Sequence, residues 1–376
     1  MKVLFLRSNS VNPDSRVEKE VNCLLSEGYD VEIYCWDRER NYSVQKKKKR
    51  IGKTFITVFM VGIKSSYGAG FKKNLIPLLK FQLEIVKFLY KNKNYSFIHA
   101  CDFDTAFASF FSIKNQKNVK FIYDIFDFYV DSFSVPYLMR SFIRIIDEYI
   151  INNADAVIIC SEKRIEQIGK VKPKKIYIIH NSPDISILND MENLSLNKNK
   201  MKICYVGILN DGRMLEELLK FAMLNKKFEL HIGGFGKYEA LFYEASQSFN
   251  NVYYYGKLEY NQTLQLEKSC DILTAIYDPK IRNHIFAAPN KFYEALMLGK
   301  PLIMVKGTGF SEVVQEFHIG EVINYNYYSL EKGLYKLFTR KKEFNMIKEV
   351  EINMYKSKYD WETMRIRLIS LYNSLK

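Results

Sequence analysis

The sequence predicts an α/β protein made of two doubly wound domains, each with a parallel sheet. Three observations carry that expectation. The chain has 376 residues, more than one compact core serves, so two domains of roughly 150–200 residues are expected. Short apolar runs of strand type alternate with amphipathic helical patterns, the order that builds a parallel sheet. The alternation also restarts after a polar stretch, where residues 201–207 (MKICYVG) echo residues 1–6.

Residues 2–6 (KVLFL) read as a buried first strand, residues 17–26 as a helix stopped by Gly28, and residues 30–35 (DVEIYC) as a second strand. Further strand-type runs fall at 96–100, 120–124 and 156–160, with helical patterns between them, notably 72–90 and 137–151. Residues 181–200, rich in Asn, Asp and Ser, read as a linker. After it come a strand (201–207), a helix (214–224), a strand (228–232), a glycine-rich turn and a helix (238–249). A strand (252–255), a helix (262–269), a strand (272–276), a helix (291–298) and a strand (302–305) complete the pattern. Gly299 and Pro301 are a strong stop for the helix before them. A last helix carries the apolar stripe Leu368, Leu371, Tyr372 and Leu375. The expected domains are therefore 1–180, 181–355 and a terminal helix at 356–376. In such sheets a ligand is expected at the carboxyl ends of the strands.

Composition excludes several classes. Hydrophobic residues make up 48% and charged residues 26%, which is the balance of a globular protein and not of a disordered or collagen-like one. The longest strongly apolar run, residues 54–63, is far short of the roughly 20 residues that span a bilayer. Arg7, Ser8 and Asn9 follow the first apolar residues at once, so no secretory leader is expected and a cytoplasmic location is. Six cysteines (Cys23, Cys35, Cys101, Cys160, Cys204, Cys270) form no C-x-x-C pair and read as reduced, partly buried thiols. The net charge is +14, and residues 1–180 hold 30 basic against 19 acidic residues. A basic first half attracts an anion: nucleic acid, a lipid headgroup or a phosphorylated substrate. The 27 Tyr and 27 Phe are dispersed among core-like strands with no nucleic-acid module, so no nucleic-acid partner is expected.

Chemistry concentrates in residues 288–301, APNKFYEALMLGKP. Pro289 suits a first helical turn, and Lys291 and Glu294 share a face. A helix N-terminus with a lysine beside it suits a phosphate, and a glutamate one turn further in can accept from a ribose diol. The plainer reading of the same residues is an amphipathic helix with a solvated Lys and Glu. Arg213 lies shortly after Gly207 at the end of a strand. The turn Gly233-Gly234-Phe235-Gly236 follows another strand and precedes a helix. Residues 8–13 contain no glycine, which argues against a nicotinamide-dinucleotide fingerprint.

These stretches resemble retaining glycosyltransferases of family 4. Pro289, Asn290, Lys291, Glu294, Gly299, Lys300 and Pro301 fit the family's P-N-K-x-x-E-x-x-x-x-G-K-P variant, while the first Glu of its E-x7-E motif falls at Phe286. Residues 205–219, the Gly233–Gly236 turn, the loop with Gly307, Gly309 and Glu312, and residues 359–362 at the entry to the last helix are similar to further family segments. So are Asp14 to Glu18 (D-x-R-V), His99 to Thr105 (H-A-C-D-F-D-T) and Tyr123 to Tyr129. In the last of these, Phe126 replaces the family's His and Asp127 its Glu. The resemblance implies the GT-B fold: two Rossmann-like domains facing across a cleft, with the C-terminal helix crossing back to the first. It implies donor binding by Gly207, Arg213, Gly234, Gly236, Asn290, Lys291 and Glu294, catalytic roles for Asp127, Arg213 and Lys291, and an acceptor side with Arg16 and Asp102. Arg16 is equally readable as a solvated side chain. The reaction implied is transfer of a sugar from a nucleotide-sugar to a hydroxyl with retention, in surface polysaccharide or glycolipid synthesis. The nucleotide-sugar is a substrate, and neither a metal nor another cofactor is expected. Asp102-x-Asp104 has the form of a metal-binding D-x-D, but in this setting reads as a turn. A nucleotide-sugar epimerase of GT-B-like fold and a binding-only family member remain the alternatives.

The acceptor is expected on the basic first domain. Residues 45–53 (QKKKKRIGK) form a cationic cluster. Residues 72–93 form an amphipathic helix, with Leu75, Leu78, Leu79, Leu83, Val86 and Tyr90 apolar and Lys72, Lys73, Lys80, Lys87, Lys91 and Lys93 basic. Such surfaces dock on anionic membranes. A lipid-linked acceptor and peripheral contact with the inner face of the cell membrane are therefore expected. The alternative is a solvated helix whose apolar side packs on the sheet.

Overall fold

The computed structural model describes residues 1–65, 70–132, 135–189, 191–197 and 199–376; the side chain of Lys72 and the linker residues Asp190 and Lys198 lie outside the described residues. The chain forms two compact units, Met1–His180 together with Met364–Lys376, and Asn181–Thr363. The change of unit falls at residue 364 and not at 356. Tyr355 and Tyr359 account for the difference, because both rings are buried in the second unit's core and the Tyr355 hydroxyl donates to the Pro183 carbonyl at 2.5 Å.

The first unit runs β1 (Lys2–Arg7), α1 (Ser15–Ser26), β2 (Asp30–Asp37), β3 (Tyr42–Ile51), β4 (Thr54–Gly62), α2 (Gly70–Lys91) and β5 (Phe97–Cys101). It continues with α3 (Phe103–Ile113), β6 (Lys120–Ile125), α4 (Tyr129–Ser132), α5 (Tyr137–Asn153), β7 (Ala156–Ile159), α6 (Arg164–Ile168) and β8 (Ile176–Ile178). Its eight strands are ordered β3-β4-β2-β1-β5-β6-β7-β8, parallel except for the β3–β4 hairpin. Continuous apolar runs such as Val3 to Leu6 are fully buried, as strands covered on both faces require. Asp14 caps α1 by accepting from the Val17 N–H.

The lysine cluster at 45–53 differs from expectation. Lys46 to Lys49 belong to β3, an edge strand paired with Ile56 to Phe59 of β4. Four consecutive lysines hide the two-residue alternation that marks a strand. Their charge suits an edge, since it blocks pairing with another chain.

The second unit runs β9 (Met201–Ile208), α7 (Leu215–Leu224), β10 (Phe228–Phe235), α8 (Glu239–Ser248), β11 (Val252–Tyr254), α9 (Tyr260–Ser269), β12 (Ile272–Ala275) and α10 (Arg282–Ile285). Then come α11 (Asn290–Leu298), β13 (Leu302–Val305), α12 (Ser311–Glu316), β14 (Gly320–Ile323), α13 (Tyr327–Thr339) and α14 (Phe344–Met354). Its sheet is wholly parallel, ordered β11-β10-β9-β12-β13-β14. The final helix α15 (Trp361–Asn373) closes the chain and, from Met364 on, belongs to the first unit. There Tyr372 lies against Tyr29, Phe97 and His99. All six cysteines are buried free thiols.

Candidate functional site

In the second unit the strand order reverses at β9, whose neighbours are β10 and β12. Ligands of doubly wound sheets gather at the carboxyl end of such a strand. Arg213 sits on the loop that leaves it. Its guanidinium lies 3.9 Å from the Tyr277 ring centroid, and its Nη1 is 3.1 Å from His284 Nε2. The protonation of His284 follows from its other contact. Nδ1 is 3.0 Å from the Asp278 carbonyl, which can only accept, so Nδ1 carries the proton and Nε2 accepts from Arg213. The imidazole is therefore neutral. Among the described residues, no carboxylate lies within ion-pair distance of Arg213. A half-buried guanidinium steered by a ring face and a neutral imidazole keeps its charge available for an anion.

Lys291 is arranged differently. Pro289 precedes α11 and Gly299, in the left-handed conformation, ends it. The first turn places Lys291 Nζ 2.8 Å from Glu294 Oε2 and 2.8 Å from Glu267 Oε1 on α9. Both glutamates are buried. Burial, then repulsion from Glu294, pushes the Glu267 carboxyl up to about 8 against the pull of Lys291. The Glu267 carboxyl is thereby held toward its protonated form, and Lys291 donates to Glu294. Neither the open cation nor the solvated face expected from the sequence is present. Glu294 turns inward and accepts from Lys291, and Asn290 Oδ1 accepts from Asn181 Nδ2 at 3.1 Å.

The glycine turn has its own physical reason. Gly234 and Gly236 have φ of +138° and +139°. A Cβ on Gly234 would stand 1.8 Å from the Gly207 carbonyl oxygen, and one on Gly236 would stand 2.9 Å from that of Leu209. These glycines let β10 close on the end of β9, and the Gly236 N–H is taken by Glu239 Oε1. Gly309 likewise lets the loop after β13 meet the segment before α11, donating its N–H to the Ile285 carbonyl. Phe286, where the family's first Glu would fall, is half-buried in that segment.

In the first unit the residues singled out from sequence form an ion network. Arg16 is neither solvated nor open: its Nε lies 3.1 Å from Glu20 Oε1 and its Nη2 2.5 Å from Asp124 Oδ1, all buried. His99 completes this cluster, with Nδ1 2.8 Å from the Tyr372 hydroxyl and Nε2 3.4 Å from Asp124 Oδ2. Asp102 Oδ2 accepts from Arg7 at 2.5 Å, and its Oδ1 accepts from the Phe126 and Asp127 N–H groups. Asp102 therefore ties a turn together with both oxygens. Asp104 is buried, its carboxyl pushed up by desolvation, so the pair does not present the open oxygens a D-x-D cation site needs. Asp127 is half-exposed and steered by Arg164 Nη2 at 2.8 Å. Phe126 lies between two guanidinium groups, Arg7 at 4.2 Å and Arg16 at 4.3 Å from its ring centroid. That is a favourable cation–π arrangement.

The sequence reading missed Glu267, Tyr277, His284 and Arg7. Nothing in spacing marks them, since each meets its partner only through the fold: His284 lies 71 positions from Arg213.

Comparison with known proteins decides the family. The model of Glycosyltransferase Family 4 matches residues 16–186, and that of Glycosyl transferases group 1 matches residues 186–353. The chain belongs to glycosyltransferase family 4. An uncharacterized glycosyltransferase of Methanocaldococcus jannaschii, MJ1069, is 25% identical over 234 residues, spanning 58% of this chain and 58% of that protein's length. Among solved structures, sucrose-phosphate synthase from Thermosynechococcus elongatus aligns with a TM-score of 0.75 at 14% identity, over 100% of this chain and 99% of that one. Anabaena HepE in complex with UDP-glucose aligns with a TM-score of 0.70 at 15% identity, over the whole of both chains. A trehalose-6-phosphate protein from E. coli, bound with UDP-2-fluoro glucose, aligns with a TM-score of 0.72 at 12% identity, covering 99% and 98%. At such identities these likenesses establish the fold, GT-B, and nothing finer. This glycosyltransferase thus carries two Rossmann-like α/β units, as expected from its sequence.

Proposed function

We propose that this glycosyltransferase moves a sugar from a nucleotide-sugar to a hydroxyl acceptor with retention of configuration, in the synthesis of a surface polysaccharide or glycolipid. The observation that carries the reading is Arg213, a guanidinium held by Tyr277 and neutral His284 with no carboxylate partner among the described residues. The hard step is departure of the nucleoside diphosphate, which gathers negative charge as the glycosidic bond breaks. A preorganised cation aimed at that charge lowers the barrier, and losing one such donor costs roughly two to three powers of ten. Arg213 is assigned that role, aided by the free N–H groups at the start of α11. Lys291 and Glu294 then act as one unit, an internally balanced pair that shapes the donor pocket near Asn290. Solved structures of the same fold that hold UDP-glucose or UDP-2-fluoro glucose support a nucleotide-sugar as donor.

On the acceptor side Asp127 is the half-exposed carboxylate, held by Arg164 where it can bond an incoming hydroxyl. Asp102 and Arg16 are assigned to the scaffold that orients it. Charge on the departing diphosphate is assigned to protein cations and not to a metal, because Asp102 has both oxygens engaged. The excess of basic residues in the first half supports an anionic, lipid-linked acceptor reached at the inner membrane face.

The test is a panel of nucleoside diphosphates and nucleotide-sugars in thermal unfolding, since a ligand of the folded state raises the melting temperature. Arg213→Ala should abolish the shift given by the best ligand and lower turnover by roughly 100- to 1000-fold. An unchanged shift and rate rejects the assignment. NMR of the product's anomeric centre decides retention.

A further inference from the structure

Successive crossovers β4→β5, β5→β6 and β6→β7 all advance in one direction along the first sheet. Right-handed connections therefore set α2, α3 and α5 on one face, with α2 packed on α3 and α3 on α5. Phe81, Ile85, Phe88 and Leu89 bury the inner side of α2. A second apolar stripe remains outside: Ile76, Leu79, Leu83, Val86 and Tyr90, between 40 and 76% exposed. Its intervals alternate three and four residues, so it runs straight along the helix. On α5, Leu138, Phe142, Ile145 and Tyr149 repeat the pattern, with Leu138 at 89% exposed. Phe111 of α3, also exposed, stacks on Tyr149 and joins α3 to that stripe. Scattered apolar residues on a surface need no explanation, but two aligned stripes on helices of one layer do.

Lysines edge this face. Lys73, Lys80 and Lys87 recur at seven-residue intervals beside the α2 stripe, and Lys114 lies over the Tyr149 ring. Lys73 and Lys80 have no carboxylate partner among the described residues. A second copy of the chain is a poor occupant, since two-fold pairing would bring like lysines together. An anionic bilayer satisfies both features, taking the apolar stripes at the acyl boundary and the ammonium groups at headgroup phosphates. β3 offers charge without such stripes, since Val44 is the only large apolar side chain exposed on it among the described residues.

We propose that the outer face of α2, α3 and α5 is the surface that seats this enzyme on an anionic lipid bilayer. The proposal rests on the reading of a lipid-linked acceptor and gives it a place. Asp102 immediately precedes α3 and Asp127 follows β6, so the ends of these strands and helices carry the acceptor-side carboxylates. Among the described residues no helix is long and apolar enough to cross a membrane, and contact through this face is peripheral.

The experiment is co-sedimentation of the full chain with vesicles of phosphatidylcholine, alone or mixed with phosphatidylglycerol. The protein should bind the mixed vesicles. Leu138→Ser with Phe142→Ser, which leaves charge unchanged, and Lys73→Glu with Lys80→Glu should each weaken binding at least about tenfold. Lys46→Glu with Lys48→Glu on β3 matches the second charge change and should cost less than about threefold by long-range attraction alone. Circular dichroism confirms that the exposed variants fold. Loss confined to the β3 variant keeps the lipid reading and overturns this face. Wild-type protein that ignores both vesicle types overturns face and lipid reading together. A dimer dissolved by the Leu138 and Phe142 variant assigns the face to a second copy and overturns the proposal.

Discussion

The ammonium of Lys291 stands 2.8 Å from a carboxyl oxygen of Glu267, a buried acid on a different helix, and the same distance from Glu294. One cation between two buried acids cannot pair fully with both. Burial and repulsion from Glu294 push the Glu267 carboxyl up to about 8 against the pull of Lys291, which favours a proton on it.

That proton makes stability fall with pH. Unfolded, Glu267 ionises near 4.5; folded, it does so near 8. Between those values the folded chain binds more protons than the unfolded one, so stability drops as pH rises through the window. The loss is at most about 1.4 kcal/mol per pH unit. Glu267→Gln copies the protonated acid. It should match wild type near pH 4.5, gain a growing advantage in melting temperature as pH rises from there toward 8, and keep that advantage above. Parallel melting curves for both proteins across that range would reject the buried proton.

His284 is assigned a positioning role through its acceptor nitrogen. His284→Leu removes the partner of Arg213 Nη1 and the donor to the Asp278 carbonyl. Losing such a bond costs about 1–1.5 kcal/mol, or roughly five- to tenfold in donor affinity. His284→Gln offers a carbonyl to Arg213 and an N–H to Asp278, and should restore affinity to within about threefold of wild type. Calorimetric titration with the best nucleoside diphosphate separates the outcomes, since a merely space-filling ring would not be rescued by Gln.

Much of this was legible in the chain. Parallel strands with continuous apolar runs, such as Val3 to Leu6, announce themselves, and so does a helix bounded by Pro289 and Gly299. What was not legible is pairing across elements. Lys291 shares a helical face with Glu294 at any reading, yet Glu267 reaches it only because α9 packs on α11. Arg16 was ambiguous because a lone arginine near a helix start is usually solvated; the fold buries it against Glu20 and Asp124. The lysines of β3 obscured a strand because charge at an edge serves solubility and not packing.

Phe126 shows how a substitution at a family position fits its neighbours. Its ring lies between the guanidinium groups of Arg7 and Arg16. Phe126→His would place an imidazole between two cations, which disfavour its protonation. The introduced ring should titrate well below the ordinary value of about 6.5, as followed by NMR, and should not raise turnover. Phe126→Leu should cost about 1–2 kcal/mol in urea unfolding by removing the aromatic face. An imidazole that titrates normally would show that the two arginines do not enclose the site.

The glycine turn supplies a test that separates scaffold from ligand contact. Gly234 has φ of +138°, and a Cβ there would lie 1.8 Å from the Gly207 carbonyl oxygen. Nothing flexible can yield, because the obstructing atom is backbone at the end of β9. Gly234→Ala should therefore cost roughly 3 kcal/mol or more, combining backbone strain with displacement of β10. Gly256 is the control: its φ is +66°, but nothing lies within 4 Å of a Cβ built on it. Gly256→Ala should cost about 1 kcal/mol, the price of the left-handed backbone alone. Urea unfolding of both variants without ligand measures the difference. Equal losses would mean that β9 and β10 do not meet closely at Gly207, and that the glycines at 234 and 236 are kept for a bound nucleotide instead.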